Sequence, residues 1–92
     1  MDQLELCHQC SAAADAYHAA TEIVFAAACE ADGLADQLGI LEEGSTLKIP
    51  AEQVPEYRRL YQEQIAECDR LQLEASAALR AFMALRWQIL PV

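Results

Sequence analysis

Two long series of apolar positions organise this chain. Leu6, Cys10, Ala13, Tyr17, Ala20, Val24, Ala27, Ala31, Leu34 and Leu38 follow one another at alternating steps of four and three residues, and Tyr57, Tyr61, Gln64, Cys68, Leu71, Ala75, Ala78, Phe82, Leu85 and Ile89 repeat the rhythm with one polar member. Such spacing keeps one side of an α-helix apolar, and it predicts helix 1 over about residues 3–38 and helix 2 over about residues 55–90. Asp2, with Glu5 three positions on, suits an N-cap, while Gly39 supplies the left-handed position that ends a helix.

Each series covers about 48 Å at 1.5 Å per residue, so two helices of equal length joined by a short connection run antiparallel. The expected fold class is all-α: one domain, residues 1–92, forming a long helical hairpin with a coiled-coil-like, alanine-rich seam. Matching the two series by length sets Leu38 near Tyr57, Val24 opposite Leu71, Ala27 opposite Cys68 and Ala13 opposite Phe82. Large side chains then meet small ones, as interdigitated packing requires.

The rhythm breaks between the helices, in the tip over residues 39–54, where Gly39, Gly44 and Pro50 interrupt it and Pro55 follows. The run Glu42-Glu43-Gly44-Ser45 suits a turn between Ile40-Leu41 and Leu47-Ile49, which allows either a tiny β-hairpin or an irregular loop folded over the bundle end. Pro50 suits the start of a short helical turn, and Pro55 the restart of helix 2, because a residue before proline is biased away from helix.

Helix 1 carries a second apolar stripe, Ala12, Ala16, Ala19, Ile23 and Ala26, with Phe25 further round; on helix 2, Met83, Trp87 and Leu90 lie off the seam. A helix apolar over most of its circumference is buried on more than one side. These residues are the expected interface, covered by a second copy in a two-fold four-helix bundle or by a larger protein.

Composition supports help from another chain. Ninety-two residues bury a smaller share of their surface than a longer chain does, and much of the 54% hydrophobic content is alanine, which contributes little apolar area. The net charge is −9: residues 1–47 hold nine acids and no Lys or Arg, whereas residues 48–92 hold six of each sign. An acidic first half argues against direct binding to nucleic acid or to an anionic membrane surface. The longest uninterrupted apolar run, Ile23 to Cys29, is far short of the ~20 residues a membrane span needs. Abundant Ala, and Arg in preference to Lys, point by composition to a GC-rich bacterial or phage genome.

Read without a signal peptide, Cys7, Cys10, Cys29 and Cys68 are expected to be reduced thiols in a cytoplasm, acting as small buried hydrophobes. Cys7 and Cys10 share a helical face, so two pairs in a dimer would supply four zinc ligands, but their spacing is also core spacing and no second pair follows. Asp15, His18 and Glu22 share another face and resemble the carboxylate-x-x-His element of di-iron bundles, yet the further inward carboxylates such a site needs are missing from helix 2. No nucleophile triad or phosphate loop is present, so no catalysis and no cofactor are expected. Tyr57 and Tyr61 beside Arg58 and Arg59 form the most varied surface near the tip.

The functional expectation is a non-catalytic interaction module: a cytoplasmic, dimeric helical adaptor, inhibitor or assembly factor that binds a larger protein. The alternatives are a metal or redox bundle using Cys7, Cys10 and His18, and an acidic mimic that competes with nucleic acid for a basic protein.

Overall fold

The computed structural model describes residues 2–89, and these form two helices packed against each other as a hairpin. Helix α1 spans Gln3–Leu38 and helix α2 spans Val54–Ile89, with a 3₁₀ turn at Ala51–Gln53 before α2. Asp2 caps α1: its carbonyl accepts from the Leu6 N–H at 2.9 Å and its Oδ1 from the Leu4 N–H at 3.3 Å. Among the described residues there is no strand.

The chain divides into two compact units. One comprises residues 1–24 and 71–92, the other residues 25–70. In both, every described member of the two seam series is buried or half-buried, down to the polar Gln64. Val24 and Leu71, set opposite each other by the length-matched register, belong to the same unit.

The unit of residues 25–70 holds most of the buried side chains: Ala27, Ala31, Ala35, Leu38 and Cys68. Ala31 is only 4% exposed because a methyl side chain lets the facing helix approach closely. Gln64, the polar seam residue, donates from Nε2 to the Ala27 carbonyl at 3.0 Å. That carbonyl already accepts its own helical N–H, so Gln64 satisfies its own amide more than it serves the backbone. Gln64→Leu is therefore expected to be neutral or to stabilise by up to about 1 kcal/mol, read as an unchanged or raised melting temperature.

The end of α1 explains the tip. The Ile40 N–H donates to the Ala35 carbonyl at 2.9 Å and the Gly39 N–H to the Asp36 carbonyl at 3.1 Å, a Schellman motif centred on Gly39 at φ +74°. The chain then turns: the Ser45 N–H donates to the Glu42 carbonyl at 3.1 Å, with Gly44 at φ +83° in the third position. It returns to α1, where the Lys48 N–H donates to the Gln37 carbonyl at 2.9 Å and the Lys48 ammonium pairs with the Asp36 carboxylate. Three of the four carbonyls that a helix end leaves without intrahelical partners are thus satisfied within the tip.

Two expectations change. Helix α2 begins at Val54, one residue early, because Val54 adopts αR geometry (φ −57°, ψ −45°) despite the following proline. In the first turn Pro55 has no amide bond to forfeit, so the pre-proline bias is overcome. The cysteines, expected to be buried, divide: Cys68 is buried and Cys10 half-buried, but Cys7 and Cys29 are exposed.

Gly33 lies in the interior of α1, exposed, and an added Cβ there would meet nothing within 4 Å. Alanine at that position removes backbone entropy from the unfolded chain without a clash. Gly33→Ala should stabilise by about 0.8–1 kcal/mol, measurable by urea denaturation at fixed protein concentration.

Candidate interaction surfaces

Within the unit of residues 1–24 and 71–92, the seam occupies the inner side of each helix and leaves distinct flanks. In an antiparallel pair, positions rotated from the seam in the same sense on the two helices lie on the same face. Ala12, Ala16, Ala19 and Ile23 on α1 share such a face with Ala77, Ala81 and Ala84 on α2, and all seven are exposed. The contribution of helix α2 was not singled out from sequence, because isolated alanines at those positions carry no signal until the partner helix fixes which flank they join.

Leu79 and Met83 lie on the other flank of α2, with Trp87 further round and 69% exposed. Trp87 and Met83 therefore do not continue the alanine face. Leu90 lies outside the described residues. Phe25, 72% exposed, stands two residues from Ile23 on the same helix and so about 200° away from it. Ala26 is exposed on the same flank of α1 as Ile23.

The charged side chains of α2 mostly pair along the helix. Arg59 contacts Glu56 at i−3, with Nε–Oε2 3.1 Å, and Glu63 at i+4, with Nη1–Oε1 2.6 Å. Arg70 donates from Nε to Glu67 Oε2 at 2.9 Å. The guanidiniums hold the Glu56 and Glu67 carboxyls below their ordinary values, chiefly through these hydrogen bonds. All five side chains are solvated, so these pairs support the helix only weakly.

A cleft of about 510 Å³ lies in the unit of residues 25–70. Leu38 from the end of α1, Ile40 and Leu47 from the tip, and Val54 from α2 form its apolar walls, while Arg58, Tyr61 and Gln62 complete its lining. Val54, Arg58, Tyr61 and Gln62 are spaced i, i+4, i+7 and i+8, one flank of a helix. That spacing was visible in sequence, but the opposite wall depends on the tip turning back to α1.

The groups weighed for metal chemistry remain apart or solvated. Asp15, His18 and Glu22 are exposed on α1, and Tyr17 places its ring 5.9 Å from that of His18. Among the described residues, no group of three or more His, Cys, Asp or Glu side chains is placed to hold a metal ion. No described helix is long and apolar enough to cross a membrane.

Compared with protein-family models, with curated proteins and with solved structures, the chain matches none.

Proposed function

We propose that this chain is a non-catalytic interaction module that self-associates and binds a larger protein through its exposed helix faces. The observation that carries the reading is apolar surface left outside the seam. Ile23 is 54% exposed and Trp87 69%, with Leu79 and Met83 also exposed, although every member of the two seam series is buried or half-buried.

The alanine face suits a second copy, because small side chains allow helix pairs to pack closely in a four-helix bundle. The flank carrying Met83 and Trp87 suits a different protein, since Trp and Met are enriched at the centres of such contacts. The acidic first half of the chain directs the choice of partner toward basic surfaces. Sedimentation equilibrium from about 1 μM to about 500 μM tests self-association, since a micromolar dissociation constant corresponds to about −8 kcal/mol. A chain that remains monomeric throughout would refute it.

A further inference from the structure

We infer that the cleft between the tip and the start of α2 is a docking site for a partner segment carrying a bulky apolar side chain beside a carboxylate. This rests on the reading of the chain as an interaction module but uses a different unit of the molecule from the proposed dimer face.

The apolar part of the argument lies in Ile40 and Leu47, which remain 58% and 47% exposed although they wall a concavity with Leu38 and Val54. A cleft of about 510 Å³ falls within the range that holds small ligands and anchoring side chains. Its walls are fixed before any partner arrives. The Schellman motif, the Lys48–Gln37 backbone bond and the close approach of Gly39 to the Thr46-Leu47 backbone hold the tip against α1. Preorganisation of this kind lowers the ordering cost of binding.

Charge specifies the rest, and it acts locally in the cleft. The unit as a whole is acidic, with ten Asp and Glu against four basic residues, Lys48, Arg58, Arg59 and Arg70, so an anion would be held by one group and not by the field of the unit. Lys48 pairs with Asp36, Arg59 with Glu56 and Glu63, and Arg70 with Glu67. Arg58 has no carboxylate partner among the described residues, and it is the basic residue that lines the cleft. In a chain with 15 acids and six bases, a guanidinium without an internal carboxylate beside apolar walls is complementary to an anion attached to an apolar group. Tyr61 and Gln62, which also line the cleft, offer further hydrogen-bonding groups to the same carboxylate. The open side of the cleft favours a projecting protein segment over an engulfed metabolite, since metabolites are usually buried over most of their surface.

The test uses N-acetylphenylalanine and its amide as probes, with ¹H–¹⁵N chemical-shift titration of the full chain. The acid should shift the Ile40, Leu47 and Val54 amides and bind about fivefold more tightly than the amide, the upper scale for one solvated ion pair. Arg58→Gln should bring the acid down to the affinity of the amide while leaving the amide's own affinity unchanged. Equal binding of the two probes, an Arg58→Gln variant that keeps the difference, or shifts confined to other residues would each overturn the assignment. Arg58→Gln should leave the sedimentation behaviour unaltered, so failure of the cleft and failure of self-association are read separately.

Discussion

Gly39→Ala should lower stability by about 2–4 kcal/mol, the largest loss expected from any single methyl group added to this chain. Gly39 sits at φ +74°, where an L-residue costs about 1–2 kcal/mol. Space compounds the conformational term: a Cβ at Gly39 would lie 2.5 Å from the Thr46 carbonyl carbon and 2.6 Å from the Leu47 nitrogen. These are backbone atoms, so no rotamer change relieves the overlap. The returning segment has to move, and with it go the Lys48 N–H bond to Gln37 and the Lys48–Asp36 pair.

Gly44→Ala provides the comparison. Gly44 also has positive φ, at +83°, but an added Cβ there meets nothing within 4 Å. Its substitution isolates the conformational cost, about 1 kcal/mol. For a chain of this size 1 kcal/mol corresponds to roughly 4–8 °C in melting temperature, so the two variants should be separable in one thermal series at fixed protein concentration. If Gly39→Ala fell no further than Gly44→Ala, the close approach of the tip to α1 would not hold in solution. The Gly39 variant should also lose the cleft, because Leu47 is carried by the displaced segment.

The seam was legible in sequence because it follows from helical phase alone. All of the positions chosen by the four-three rhythm are buried or half-buried, and the positions expected on a second stripe are exposed. Phase also explains the cysteines. Cys7 follows the buried Leu6 by one residue and Cys29 follows the buried Ala27 by two, rotations of about 100° and 200° that carry both away from the seam. The general tendency of cysteine to be buried yields to the position the helix gives it.

The tip was legible only in part. Gly39 announced the end of α1, since only a residue without Cβ accommodates that conformation cheaply. The return of residues 46–48 onto α1 depends on one backbone bond and one ion pair between segments about ten residues apart, and no periodic pattern encodes such contacts. The cleft was hidden for the same reason, because its Leu47 wall is placed by the return.

The second large effect concerns self-association. Ala16→Glu or Ala81→Glu should weaken it by at least about thirtyfold, because each places a carboxylate on the exposed alanine face and burial of an unsatisfied charged group costs more than 1 kcal/mol per site. A two-fold interface presents every residue twice, so one substitution introduces two such carboxylates. Neither change disturbs the seam of the hairpin itself: both alanines are exposed, and glutamate is a good helix former. Helicity at low concentration should therefore persist while the sedimentation curve shifts to the monomer. Ser76→Glu adds the same charge to the flank of α2 that bears Leu79 and Met83. If the alanine face pairs the copies, Ser76→Glu leaves the dissociation constant within about threefold of the parent, a change of less than 1 kcal/mol. If instead Ser76→Glu disrupts and Ala16→Glu does not, the copies meet through the Met83 face, and the alanine face becomes the surface available to the larger partner.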